Sequence, residues 1–500
     1  MSNTAGLLTT IKYYADTLIT AARQEQPFRL FDLADELKIH IIDQLEGDLA
    51  ALRALALSCR RLQSLSEPLL YKRRLLRSPP VLKHFLHGVS RRPQRATHIH
   101  RLDIRCEYRS VASGFARLPA ILEQTTELQD LTLESPYCNF GGGQGKTGRQ
   151  FAQVQEDMFV LFDRAASEGF TNPLPTTPFQ RLRKVELHLT GGDGRYLTLG
   201  HYSKSLFKSP TLQELTISCV QVESDTFALA EYEAMKHTTP LKRLTLIECD
   251  FTMLSIVCIL MLPKALEVLK LGENCYHLHN PTGHTCLCSA NTFEFLNKAL
   301  SSQQKSLEEL EYEVSPHDGP PVDHHSPSQD LCDFPKLHTV ALKGSRCPAF
   351  EEAVWGGGRR EGQPPIRVLR ISWRKAAMVI PQWFAKDDGE SFLAWIWSVV
   401  TALPSLQHLH FIFRKTGMLQ LPSARRQRIT AFESELGKRG VVLWLYEEQR
   451  SHCFPPYLYG EIPGYNKLIY ASDGRGFDAE YCLDAQAEES DEHIAFDPFD

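Results

Sequence analysis

A short hydrophobic phrase, apolar-x-x-apolar-x-apolar, recurs along the chain. It reads Ile99/Leu102/Ile104, Leu128/Leu131/Leu133, Leu182/Val185/Leu187, Leu212/Leu215/Ile217 and Leu241/Leu244/Leu246. It returns as Leu266/Leu269/Leu271, Leu307/Leu310/Tyr312, Leu337/Val340/Leu342, Ile366/Leu369/Ile371 and Leu406/Leu409/Phe411. The last two apolar positions of each phrase are two residues apart, the period of a strand with one buried face. Middle residues are spaced by 29, 54, 30, 29, 25, 41, 30, 29 and 40. The spacing of 54 is close to two periods, so the interval between Leu133 and Val185 has room for a further repeat or for an inserted segment, and the repeat number beyond ten stays open. Proline stands just ahead of several phrases, at Pro210, Pro240, Pro335, Pro365 and Pro404, where it ends the preceding element. Helices are expected between the phrases over Phe115–Gln124, Arg149–Ala166, Asp225–His237, Phe251–Leu262, Asn291–Ser301 and Ser391–Leu403.

A strand followed by a helix, at a period near 29, cannot bury its apolar face alone, but stacked neighbours can. The ten phrases resemble leucine-rich repeats in a degenerate form. The asparagine or cysteine expected three residues past the last apolar position occurs only at Asn274 and Cys249. The resemblance implies an α/β fold, an irregular solenoid over residues 79–447 with long loops.

Residues 28–78 follow another pattern. Leu37, Ile41 and Leu45 share a helical face, with Asp32 or Asp35 ahead to cap it, and Gly47 breaks the helix. A second helix presents Leu49, Leu52, Leu55, Cys59 and Leu62, which makes a helical hairpin. The run Leu33-Ala34-Asp35-Glu36-Leu37, then Ile41-Ile42-x-x-Leu45, Asp48-Leu49, Leu52 and Ala56-Leu57-Ser58-Cys59-Arg60-Arg61-Leu62, resembles an F-box. Glu67-Pro68-Leu69-Leu70-Tyr71 is similar to the stretch that closes this motif in fungal-type F-box proteins. The resemblance implies docking onto a Skp-type adaptor, and through it a cullin–RING ubiquitin ligase. By position, Leu33, Leu37, Ile41, Ile42, Leu45, Leu49 and Leu52 would form the adaptor-facing or hairpin-core set. The family pattern has proline where this chain has Ala34. A second reading stays open: a repeat scaffold that does not engage a ligase.

Composition narrows the classes. Among 500 residues, 55 are Lys or Arg and 60 Asp or Glu, for a net charge of −5, and 43% are hydrophobic. That excludes a wholly disordered chain and argues against a dedicated nucleic-acid or membrane-surface binder. The basic excess of Arg60–Arg109 lacks the interleaved aromatics of a nucleic-acid face. The longest apolar runs are twelve residues, where a bilayer span needs about 20. Thirteen cysteines show no Cys-x-x-Cys and there is no signal-like N-terminus, so a cytoplasmic or nuclear protein is expected. Residues 1–27 form an N-terminal segment, and 448–500 a C-terminal extension ending in an acidic tail.

Candidate chemistry is sparse. Phe140 replaces the first glycine of a phosphate loop before Gly145-Lys146-Thr147, and neither Gly-x-Ser-x-Gly nor His-Glu-x-x-His occurs, so no catalysis and no cofactor are expected. Cys275, His277, His279, His284, Cys286 and Cys288 put six zinc-type donors in one insertion, although their spacing matches no known finger. Side-chain alternation turns Arg105, Glu134, His188, Lys270, Lys343 and Arg370 outward from their strands, and Trp373 adds an aromatic, giving a candidate face for a protein substrate.

Overall fold

A computed structural model gives the fold. The residues it describes are 30–105, 115–135, 146–171, 177–189, 197–200, 203–222, 229–273, 299–314, 333–344, 365–373, 390–414, 423–448, 467–473 and 476–477. Two compact units divide the chain. One runs to Arg74 and takes in His98–His100, and the other holds Leu75–Thr97 and the chain from Arg101 onward.

The first unit has three helices rather than the expected hairpin: α1 (Asp35–Asp43), α2 (Leu49–Ser58) and α3 (Arg60–Lys72). The apolar stripe expected to run through one helix is broken at Cys59, which is extended at φ −160° and ψ 162°. The break resets the helical phase, so that Leu62 and Leu70 of α3 turn onto Ile42 and Leu52 in one small core. Gly47, at φ 103°, makes the turn ahead of α2 in a conformation that disfavours a side chain. Neither Asp32 nor Asp35 caps α1, because Ala34 holds the N-cap position without a side-chain bond. Asp35 instead accepts from Lys38 Nζ at 2.9 Å and Arg61 at 2.7 Å, and these cations hold its carboxyl below the usual range. Asp48 caps α2, accepting from the Ala50 and Ala51 backbone N–H groups at 3.1 and 3.0 Å. Asp48→Ala is expected to destabilise this unit by about 1 kcal/mol, read from urea unfolding followed by circular dichroism.

The second unit is mixed α/β. After β1 (Arg73–Leu76) the strands are β2 (Arg101–Arg105), β3 (Asp130–Glu134), β4 (Lys184–His188), β5 (Leu197–Thr198), β6 (Glu214–Ser218), β7 (Val220–Val222) and β8 (Arg243–Phe251). Then come β9 (Val268–Glu273), β10 (Glu309–Val314), β11 (Thr339–Gly344), β12 (Val368–Trp373), β13 (His408–Arg414), β14 (Val442–Glu448), β15 (Lys467–Ala471) and β16 (Gly476–Phe477). From β2 to β14 the main path is parallel and follows chain order, with the short β5 and β7 set aside; β15 and β16 add antiparallel strands, and the path does not close into a barrel.

The middle residues of all ten phrases form one register row. Leu102, Leu131, Val185, Leu215, Leu244, Leu269, Leu310, Val340, Leu369 and Leu409 are successive partners, and Leu443 extends the row. A second backbone device repeats beside it. From β3 to β12 the carbonyl just ahead of each strand on the main path accepts from two consecutive N–H groups of the next: Gln129 from Arg183 and Lys184, Lys242 from Glu267 and Val268, and His338 from Arg367 and Val368, for instance. A one-residue slip would turn the whole leucine row outward, so burial and this ladder both hold the register.

The expected helices at 115–124, 149–166, 225–237, 251–262 and 391–403 appear in part or with shifted ends; Phe251, for instance, ends β8, and its helix is Met253–Met261. Most of 291–301 lies outside the described residues. Among the described residues no further repeat lies between Leu133 and Val185. Leu131 pairs directly with Val185, and the helix Lys146–Thr171 occupies much of the interval. The helices Pro79–Arg91 and Ser423–Lys438 were not anticipated.

Candidate interaction surfaces

The side of the sheet away from the leucine row has two different halves. On β2 to β8 it is charged and largely self-paired. Register partners Arg101, Asp130, Lys184, Glu214 and Arg243 alternate in sign. Lys184 lies 2.9 Å from Glu186 and 3.7 Å from Glu214, and Arg101 lies 2.8 Å from Asp103.

Deeper along the same strands, three residues predicted to touch substrate are not at the surface. Arg105 is 11% exposed, between Glu134 at 3.9 Å and Glu186 at 3.6 Å. Glu134 is 1% exposed, and neither of its oxygens makes a hydrogen bond to a described residue. Burial pushes its carboxyl up to about 8, and Arg105 is too distant to reverse this. His188 is 4% exposed, with Nδ1 hydrogen-bonded to Ser218 Oγ; burial, then Arg105, brings its imidazole down to about 3. Arg105, Glu134 and His188 therefore belong to a buried polar layer. Alternation told which side of the strand they occupy, but not what covers that side.

On β12 to β14 the face is aromatic. His410 stacks on Trp444 with centroids 5.5 Å apart and planes 1° apart, and on Tyr446 at 5.6 Å and 8°. Arg370, beside His410 in register, is exposed, while Lys270 is half-buried and lies 3.3 Å from Glu311. Lys343 and Trp373 lie in β11 and β12, with side chains outside the described set. Burial, then Arg370 and His408, lowers the His410 imidazole to about 4. Trp444 and Tyr446 escaped the sequence pattern because Gly440 stands where the next phrase needs its first apolar residue. The signal that remained was the alternation of Leu443, Trp444, Leu445 and Tyr446.

No protein-family model matches the chain. Nor does any curated protein match it. The six candidate zinc ligands from Cys275 to Cys288 lie outside the described residues, and among the described ones no group of three or more His, Cys, Asp or Glu is placed to hold a metal. No helix of the described residues is long and apolar enough to cross a membrane.

The helical unit carries its own surface. Of the predicted adaptor set, Ile42 and Leu52 belong to the core of that unit, and Leu33 and Leu45 are half-buried. Leu37, Ile41 and Leu49 are exposed, and so are Phe31, Ile39 and Leu57, which the sequence reading did not select. Leu57 is 86% exposed, an unusual state for leucine in a helix.

Proposed function

We propose that the chain is the substrate-recognition subunit of a Skp–cullin–F-box-type ubiquitin ligase, with no catalysis of its own. The first unit docks a Skp-type adaptor, and the sheet, read as a leucine-rich-repeat solenoid, holds a protein substrate. The observation that carries the reading is the exposure of Leu37, Ile39, Ile41, Leu49 and Leu57 on a unit of three short helices. Such a unit has little core, and large apolar side chains left open on it, Leu37 and Ile41 on one side of their helix among them, are of the kind a partner covers. The single register row of the phrase leucines supports the solenoid half of the reading.

Co-expression with a Skp-type adaptor, followed by size-exclusion chromatography, tests the proposal. The expected result is a stoichiometric complex that the double variant Leu37→Asp/Leu57→Asp loses while its circular dichroism is unchanged. Both side chains are exposed, so the substitutions spare the core; Ile42 would be a poor choice because it is 2% exposed. A wild-type chain that remains alone beside excess adaptor overturns the ligase reading and leaves the repeat scaffold.

A further inference from the structure

We propose that the aromatic half of the sheet, on β12 to β14, binds an extended peptide segment of a partner protein that carries one carboxylate beside an aromatic or long aliphatic side chain. The inference rests on reading the sheet as the part of the chain that holds a protein ligand, and it names the chemistry of that ligand.

Three rings stand parallel on adjacent strands. Trp444 and Tyr446 lie 6.1 Å apart with planes 6° apart, and both stack on His410. All three are half-buried, so each ring is fixed by its neighbours yet keeps an edge at the surface. Rigid aromatic groups held this way give contact area at small entropic cost. Val368 and Ile412, also half-buried on the same face, extend the apolar surface. An extended chain crossing three strands, about 10 Å, covers this area with roughly three residues.

Arg370 supplies the charge. It is exposed, lies next to His410 in register, and makes no ion pair among the described residues. Elsewhere on this side of the sheet Arg101, Arg105, Lys184 and Lys270 each have a carboxylate within 4 Å. A guanidinium beside flat rings suits a carboxylate, which it can hold by two parallel hydrogen bonds. A nucleic-acid strand fits less well, since its phosphates need several cations along the path. Two strands away, β10 presents Glu309, Glu311 and Glu313, which repel a polyanion but leave a single carboxylate at Arg370 tolerable.

Selection of a random peptide phage library on the immobilised full-length chain tests the proposal, with the enriched peptide, its Asp/Glu→Asn/Gln counterpart and a DNA oligonucleotide then measured by fluorescence anisotropy. Enriched peptides are expected to pair an acidic residue with an aromatic or aliphatic one. The amide counterpart and the Arg370→Ala chain should each bind about tenfold more weakly. Arg243→Ala, which removes an exposed cation from β8, should leave affinity unchanged. The absence of enrichment, a consensus without a carboxylate, an Arg370→Ala chain that binds as the parent does, or competition by the oligonucleotide overturns it. Arg370→Ala keeps its surface setting, so a fold defect does not confuse the result. Adaptor binding is measured on the same preparations. Failure of peptide selection with the adaptor complex intact rejects this site alone, and peptide selection without an adaptor complex rejects the ligase reading alone.

Discussion

Gln303→Leu is expected to destabilise the sheet-bearing unit by about 3 kcal/mol, although leucine fills much the same volume. Gln303 is 2% exposed, and its amide is fully used. Nε2 donates to the carbonyls of Leu260 and Pro263 at 2.8 and 3.0 Å. Oε1 accepts from the Leu266 N–H at 2.9 Å and from Ser306 Oγ at 3.2 Å. The amide thus ties the end of the Met253–Met261 helix to the start of the next phrase. Leu260 and Pro263 keep other donors, Ser302 Oγ and His237 Nδ1, but the Leu266 N–H loses this acceptor in a buried place. A stranded buried donor costs about 1–3 kcal/mol, and the three other lost bonds add to it. Gln303→Glu should be worse near neutral pH, because a buried carboxylate would face two carbonyls. All six tryptophans lie between Trp355 and Trp444, so urea unfolding followed by tryptophan fluorescence reports on this unit. A midpoint shift equivalent to less than about 0.5 kcal/mol, the range of ordinary surface changes, would refute this role for Gln303.

Gln303 also marks the limit of what the amino-acid sequence told. The leucine phrases carried strand position and register, because burial of alternate residues leaves a direct trace in side-chain type. Leu102 to Leu409 fall in one row for that reason. The interval from Leu133 to Val185 left the repeat number open, because a spacing near two periods fits a second strand or a longer helix; the helix expected over 149–166 runs longer, over Lys146–Thr171. The break at Cys59 was hidden too. An apolar residue every three or four positions does not show where the chain changes phase, and Cys59 is neither Gly nor Pro. Of the candidate surfaces, the outward side of Arg370 was legible from alternation. The burial of Glu134 and His188 was not, since cover on that side depends on tertiary structure. The exposure of Leu57 was equally invisible, because only packing decides which leucines of α2 turn inward.

The pH dependence of stability separates a buried fold carboxyl from a binding one, and Glu134→Gln exposes it. In the folded chain the Glu134 carboxyl sits at about 8, raised from 4.5, so between these values the folded state keeps a proton that the unfolded state has lost. Stability from this group is therefore fully present below about pH 4.5 and is lost as pH rises through 8. His188 acts in the opposite sense. Its imidazole is lowered from 6.5 to about 3, so its contribution is present above 6.5 and is lost as pH falls through 3. Between pH 4.5 and 6.5 the two slopes oppose one another, and above 6.5 Glu134 acts alone of the pair. The glutamine variant has no proton to lose. Its urea midpoint, followed by tryptophan fluorescence, should part from that of the parent above about pH 4.5 and stop gaining near pH 8. The difference there should be on the order of a few kcal/mol in favour of the variant. Parallel curves from pH 6.5 to 8 would mean that Glu134 is ionised in the folded chain, held by Arg105 despite the 3.9 Å separation. In that case Glu134→Gln should instead be the less stable chain at neutral pH, because Arg105 would lose the charge it faces.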